Sequence, residues 1–480
     1  MKILFAATEA HPFIRTGGLG DVIGSLPEKI AQIGNDVRVI IPKYSVIKDE
    51  LKAEMKSIKK IYVKVGWRNQ YCGIEMIKHK NVTFYFVDNE YYFKRDGELY
   101  GHYDDAERFA FFDRAVLEIL KEIDWCPDII NCNDWHCGMI PALFKLEYVK
   151  DKFYKNIKIV FTIHNILFQG IYSKYMLSEL FGYSLEQYDN GQLKFDEGCI
   201  SFMKGGIVYA DKITTVSESY SEEIKTLEYG ERLDEVLRYR DGDLIGIVNG
   251  IDYDEYNPKS DKYILKTYDV NTIEDKSINK VAMQKELGLN INKEMPIIAL
   301  ISRLTNQKGI DLIMKEIENL VVNNDVQIII LGTGDKNYEN YFSELACKFK
   351  GQVATIITFD TALSHRIYAG ADMFLMPSKF EPCGLGQLIA LRYGTVPIVR
   401  ETGGLRDTIE PYNEYMGRGN GFSFKNYYSY ELMNTILYAL EIYKDKESFK
   451  NIVSNAMSSD NSWDLSAIEY LNVYNFAMGK

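Results

Sequence analysis

The sequence predicts an α/β protein of two Rossmann-like, doubly wound domains facing each other across a cleft. Two observations carry that expectation. Short β-branched apolar runs bounded by turn residues alternate with helical periodicity over the first 250 or so residues, as in a parallel sheet covered on both faces. After a polar stretch the same alternation begins again and continues to about residue 460.

The elements follow in order. Lys2–Ala7 reads as a first strand, and Thr16-Gly17-Gly18-Leu19-Gly20 as a turn into a helix that stops at Gly34. Val37–Pro42 is the second strand, which completes one βαβ unit. Pro27 lies inside the helix, and its missing N–H predicts a kink or a restart there, with Ser25 as the cap. Strands are expected at Thr83–Val87, Asp128–Cys132, Ile157–Ile163, Lys212–Val216 and Ile245–Val248, with helices over Ala106–Ile123 and Met139–Tyr148. The chain then turns polar through Asn257-Pro258 to Lys280, so residues 1–248 are expected to form one domain and 249–461 the other. In the second, strands are expected at Ile297–Ser302, Gln327–Leu331, Val353–Ile357, Met373–Met376 and Val396–Val399, and helices at Ile310–Val322, Tyr338–Lys348 and Leu385–Arg392. A last helical stretch, Leu465–Ala477, is compatible with packing on either domain.

Composition narrows the function. A formal charge of −12 over 480 residues, with no local basic patch, repels a phosphate backbone and excludes a nucleic-acid binder. The seven cysteines are odd in number and lack C-x-x-C spacing, which suits free thiols in a reducing compartment. No uncharged apolar run approaches the roughly 20 residues that span a bilayer, and Ile3–Ala7 is shorter than a signal segment needs. The expectation is a cytoplasmic protein with no membrane partner; its oligomeric state is not legible.

Three strand-to-helix junctions carry candidate chemistry. Ligands of doubly wound sheets sit at such junctions, near helix N-termini that attract anions. Gly17-Gly18-Leu19-Gly20 permits close backbone approach but lacks the G-x-G-x-x-G spacing of a dinucleotide site, and serves equally as a tight turn. Arg303 and Lys308, between a strand and a helix, read as a diphosphate clamp or as a solvated charge pair. In Phe380-Glu381-Pro382-Cys383-Gly384-Leu385-Gly386-Gln387, Glu381 stands one turn before a helix, as a ligand or as a cap. Asp241-x-Asp243 and Asp252-x-Asp254 match the D-x-D pattern that holds a divalent ion in other nucleotide-sugar enzymes; the basic clamp already supplies that charge, so no metal is expected.

Arg15-Thr16-Gly17-Gly18-Leu19-Gly20-Asp21-Val22, Asn133-Asp134-Trp135-His136, Thr162-Ile163-His164-Asn165, Val248-Asn249-Gly250-Ile251-Asp252, Ser302-Arg303-Leu304-Thr305-x-Gln307-Lys308-Gly309, Phe380-Glu381-Pro382-Cys383-Gly384-Leu385 and Thr402-Gly403-Gly404-Leu405-x-Asp407-Thr408 resemble, in this order, the motifs of bacterial glycogen synthases and plant starch synthases. The resemblance covers nearly the whole chain. It implies the GT-B fold, a C-terminal helix (about 462–480) that crosses back to the N-terminal domain, and transfer of glucose from ADP-glucose to the non-reducing 4-OH of an α-1,4-glucan with retention, without a cofactor. By motif, Arg303 and Lys308 hold the diphosphate, Glu381 and the backbone of Cys383, Gly384 and Leu385 bind the glucosyl group, Gly386 belongs to the same nucleotide-sugar site beside a phosphate, and Asp21 and His164 line the sugar pocket. Arg15, Gly17 and Gly18 approach the nucleotide phosphates, Asn249 the glucose, and Phe359 stacks on adenine. Asp134 and Trp135 position the acceptor, with Tyr92 and Phe93 as candidate acceptor platforms. Two departures stand out: Arg15 replaces the family's usual Lys, and Gly386 replaces a hydroxylated residue of some members.

Overall fold

The computed structural model describes all 480 residues, and they divide into two compact units, Met1–Asn249 with Trp463–Lys480, and Gly250–Ser462. In the first unit β1 (Lys2–Ala6), β2 (Asp36–Pro42), β3 (Lys56–Val65), β4 (Arg68–His79), β5 (Val82–Asp88), β6 (Ile129–Asn133) and β7 (Lys158–Ile163) contribute to one sheet. β8 (Ile171–Ser173), β9 (Lys194–Asp196) and β10 (Cys199–Ser201) form a separate antiparallel three-stranded sheet. β11 (Lys212–Thr215) and β12 (Leu244–Gly246) complete the main sheet, whose order is β12-β11-β7-β6-β1-β2-β5-β4-β3. From β12 to β5 every pairing is parallel.

The central strands read as continuous apolar runs because both their faces are covered, and β1 and β6 are buried along nearly their whole length. The β3–β4 hairpin pairs antiparallel and lies at the sheet edge. It is absent from the sequence expectation because four lysines interrupt the apolar run of β3. Lys56, Lys59, Lys60 and Lys64 there are exposed, and such charges block edge-to-edge pairing.

The helix Gly18–Gln32 runs unbroken through Pro27, against the expected kink or restart. Leu19, Val22, Ile23, Leu26 and Ile30 are buried along its length, a packed stripe that outweighs one missing backbone hydrogen bond. The last helix, Trp463–Ala477, packs on it, with Lys29 Nζ 3.2 Å from Asp464 and the Ser466 hydroxyl donating to the Val248 carbonyl at 2.6 Å.

The second unit holds a fully parallel six-stranded sheet of β13 (Ile297–Ile301), β14 (Gln327–Leu331), β15 (Val353–Ile356), β16 (Met373–Met376), β17 (Val396–Arg400) and β18 (Phe422–Phe424). The order is β15-β14-β13-β16-β17-β18, with helices between successive strands. The chain's entry and exit pair within this unit, Ile251 N–H donating to the Asn461 carbonyl at 2.8 Å. β18 is too short to carry a pattern of its own, and the sequence reading passes over it.

Candidate active site

At the carboxyl end of β6, Asp134 adopts φ +58° and ψ 179°, a conformation costly for a side chain with a Cβ. Hydrogen bonds hold it there. Its backbone N–H donates to the Thr162 carbonyl at 2.9 Å, while its carboxylate accepts from the N–H groups of His164 (2.7 Å) and Asn165 (3.3 Å). The carboxylate therefore ties the ends of β6 and β7 together. Desolvation in that position, with the Glu9 charge adding, pushes its carboxyl up to about 7.

His164 is buried, which pulls its imidazole down to about 3, so it is neutral. The polar ladder beneath it settles which nitrogen carries the proton. The Asn133 amide nitrogen donates to the Ala6 carbonyl (3.0 Å) and to Asn131 Oδ1 (3.1 Å), leaving Asn133 Oδ1 as an acceptor 2.9 Å from His164 Nε2. Nε2 is the donor there, and Nδ1 is left as an acceptor.

Trp135 and His136 stack at 4.0 Å, and the Tyr100 ring lies 4.3 Å from His136 on a tilted plane. Burial holds His136 well below its usual range, and neither of its ring nitrogens has a partner. In the first loop Arg15 Nη1 lies 2.7 Å from Asp21 Oδ1, and Thr16, Gly17 and Gly18 are exposed. Asn249 is buried with its amide oxygen unpaired.

Tyr92 and Phe93 cannot serve as acceptor platforms. They are 0% and 1% exposed and pack on Phe111. Their short helix, Glu90–Phe93, turns them into the core and leaves Tyr91, 64% exposed, facing solvent.

In the second unit the clamp residues follow β13. Lys308 Nζ contacts Glu381 Oε2 at 2.5 Å, and the Ser378 hydroxyl donates to the same oxygen at 3.0 Å. Gly309 makes this approach possible: its φ is +72°, and a Cβ there would stand 2.0 Å from the Pro377 carbonyl oxygen. Gly403 does the same after β17, where a Cβ would lie 2.0 Å from the Glu381 carbonyl. Arg303 is exposed and makes no ion pair or side-chain hydrogen bond. Cys383 is buried beside Gly384, and the Gln387 amide donates to both their carbonyls at 3.0 and 2.9 Å. Leu385 and Gly386 lead into the helix Gly386–Arg392, and a Cβ on Gly386 would come within 3.0 Å of the Phe374 ring. A side chain there would require that ring to shift by a few tenths of an ångström. Phe359, 81% exposed, follows β15.

Three of the four D-x-D carboxylates already have partners, and Asp254 is exposed. Asp241 meets Lys225 at 2.5 Å, Asp243 meets Lys212 at 2.6 Å and Arg240 at 2.9 Å, and Asp252 accepts from the Asp254 N–H at 2.8 Å. No group of three or more His, Cys, Asp or Glu side chains is arranged to hold a metal ion.

Residues 2–239 match the family model described as starch synthase catalytic domain, and residues 284–456 match glycosyl transferases group 1. The chain is 62% identical over 475 residues to the glycogen synthase of Clostridium botulinum (strain Alaska E43 / Type E3), covering 99% of each chain. The chain belongs to the glycogen and starch synthase family. It is 50% identical over 474 residues to the glycogen synthase of Geobacillus stearothermophilus, covering 99% of this chain and 97% of that one. Among solved structures it matches the catalytic domain of starch synthase IV from Arabidopsis thaliana, bound to ADP and acarbose, with TM-score 0.93 and 31% identity, covering 100% of this chain and 99% of that one. This member of the synthase family is therefore a glycosyltransferase of GT-B fold, and none of its helices is long and apolar enough to cross a membrane. In the first unit Glu9, Tyr100 and Asn133 hold candidate residues in place, and in the second Ser378 does so for Glu381. Asn133 lies in a motif already named, while Glu9, Tyr100 and Ser378 were passed over; of these only Glu9, a charge soon after an apolar strand, left a signal in the sequence.

Proposed function

We propose that this glycosyltransferase extends an α-1,4-glucan with glucose from ADP-glucose, with retention at C1. The carrying observation is the β13 loop, where Arg303 stands unpaired beside a Lys308 that is already paired with Glu381. One cation is positioned by a carboxylate and the other is left for an anionic ligand. The ADP bound to starch synthase IV supports the choice of nucleotide for this chain.

In the proposed reaction the bond between C1 and the β-phosphate oxygen breaks as the acceptor 4-oxygen forms the new bond to C1 on the same face. The 4-OH proton passes to the departing phosphate, and the products are ADP and a glucan longer by one residue. Negative charge grows on the diphosphate during this step, so preorganised cations act most strongly in the transition state. Arg303 and Lys308 fill that role, with Arg15 and the backbone at Gly17 and Gly18 on the phosphates.

Glu381 receives glucosyl hydroxyls together with the backbone from Cys383 to Leu385. His164 Nδ1, an acceptor by the tautomer argument, takes a hydrogen bond from a sugar hydroxyl, and the unpaired Asn249 oxygen takes another. Asp21 contributes from the first loop. Asp134 and Trp135 serve the acceptor, and Phe359 the adenine. No cofactor or metal enters the scheme. Incubation with glycogen and either ADP-glucose or UDP-glucose, reading nucleotide release and glucan growth, tests it. Faster transfer from UDP-glucose overturns the nucleotide assignment, and nucleotide release without glucan growth overturns the acceptor.

A further inference from the structure

We propose that Glu9 is a positioning residue for transfer, whose carboxylate fixes the donor-side loop Arg15–Gly18 and locks it to the aromatic stack of Trp135 and His136. This rests on the reading of the loop as a phosphate contact given above.

Beyond Arg15, which is paired with Asp21, the loop has little to hold it. Thr16, Gly17 and Gly18 are exposed, no atom lies within 4 Å of where a Gly17 Cβ would be, and the helix Gly18–Gln32 has no side-chain cap. Glu9, 3% exposed, supplies what packing does not. Its Oε2 accepts from the Thr16 backbone N–H at 2.5 Å, and its Oε1 accepts from the Thr16 hydroxyl at 2.7 Å and the Tyr100 hydroxyl at 2.8 Å. Tyr100 in turn is 2.9 Å from the Thr8 hydroxyl, and its ring lies on His136.

A buried carboxylate is costly unless donors surround it, and an apolar residue at this buried position after β1 would serve the core better. All three of its donors come from two segments, the loop before the helix and the strap carrying Tyr100. The Thr16 N–H can only donate, and a carboxylate accepts from it and from both hydroxyls through charge-assisted bonds. Glutamine, of equal size, can keep the Thr16 N–H only by turning its NH2 to the two hydroxyls, which must then accept instead of donate, so all three bonds lose their charge assistance and both hydroxyl protons lose their acceptor. The network makes loop order and stack order interdependent, so a change at Glu9 acts on the donor through Thr16.

The experiment compares Glu9→Gln, Thr16→Val and Thr16→Ser with the unaltered enzyme in ADP-glucose/glycogen kinetics, ADP calorimetry and thermal melting. Glu9→Gln and Thr16→Val should each weaken ADP binding and raise KM for ADP-glucose on the order of tenfold, with KM for glycogen within twofold. Thr16→Ser, which keeps the hydroxyl, should stay near the unaltered enzyme. The double variant Glu9→Gln/Thr16→Val should be no worse than the poorer single variant, since both break the same contact. Normal ADP affinity and KM in Glu9→Gln overturn the proposal, as does a lowered melting temperature with those constants unchanged, which would make Glu9 purely structural. If Glu9→Gln fails to fold, the contrast between Thr16→Val and Thr16→Ser decides. Failure of the unaltered enzyme to use ADP-glucose instead overturns the functional reading, while ADP calorimetry still reports on the loop.

Discussion

Arg303 and Lys308 share one loop and one sign, yet differ in what surrounds them. Lys308 is bound to a buried Glu381, whereas Arg303 touches no charged or polar side chain. Replacing either by Ala should lower kcat by on the order of 10² or more, the usual loss when a preorganised donor to developing charge is removed. Melting should separate them. Lys308→Ala leaves Glu381 with Ser378 alone and should cost about 1–3 kcal/mol, while Arg303→Ala should leave the melting temperature within a degree or so. Near-normal kcat in both variants removes the clamp from the mechanism. Asp134 yields a pH prediction. Its folded carboxyl titrates near 7, against about 3.9 when unfolded. The native state therefore holds the extra proton between these values, and this residue's contribution to stability, complete below about pH 4, is lost as pH rises through 7. Asp134→Asn keeps an acceptor for the two N–H groups and carries no charge. Its melting temperature relative to the unaltered protein should rise between pH 5 and pH 8, by several degrees on the order-of-magnitude scale for domains of this size. A pH-independent difference sinks the assignment.

The strand-to-helix loops owe their shape to two glycines with different neighbours than the first loop. Gly309→Ala places a Cβ against the Pro377 carbonyl in a left-handed conformation, so it should lower both melting temperature and activity by displacing Lys308. Gly17 has an extended backbone, φ −165°, and open space around it. Gly17→Ala should therefore melt within a few degrees of the unaltered enzyme, at most the cost of a poorer N-cap. If the loop backbone approaches the diphosphate, KM for ADP-glucose should nonetheless rise on the order of tenfold; an unchanged KM shows that the loop stays clear of the donor. At this same scale the sequence was most readable where strands are buried on both faces. β13, β14 and β16 differ from expectation by a residue at most. It was least readable in β3, where lysines break the apolar run, and at Pro27, where tertiary packing overrides a local helix breaker.

Over the whole molecule the charge is −12, yet the proposed donor is itself an anion. The cations proposed to meet it, Arg15 in the first unit and Arg303 and Lys308 in the second, stand in loops at the carboxyl ends of their own sheets. If these supply the compensating charge as proposed, with Asp241 and Asp243 held in ion pairs, transfer should persist in excess EDTA. Activity lost in EDTA and restored by Mg²⁺ or Mn²⁺ would show that a metal shares the role.

By itself the sequence determined the repeated α/β alternation, since parallel strands need apolar runs and the chain between them must return as a helix. It also marked the loops proposed to carry the chemistry, because close approach and fixed charge demand glycine, arginine, lysine and carboxylate in particular order. Only the tertiary structure decided which way neighbouring side chains face. Tyr92 and Phe93 read as sugar platforms but turn into the core, because the four-residue helix that carries them directs successive side chains around its axis. It alone decided which partner each charge meets: Lys308 with Glu381, 73 residues away in the chain, and Glu9 with Tyr100, 91 residues away. Periodicity reports on neighbours along the chain, and these pairs form only when separate loops are brought together by the sheet beneath them.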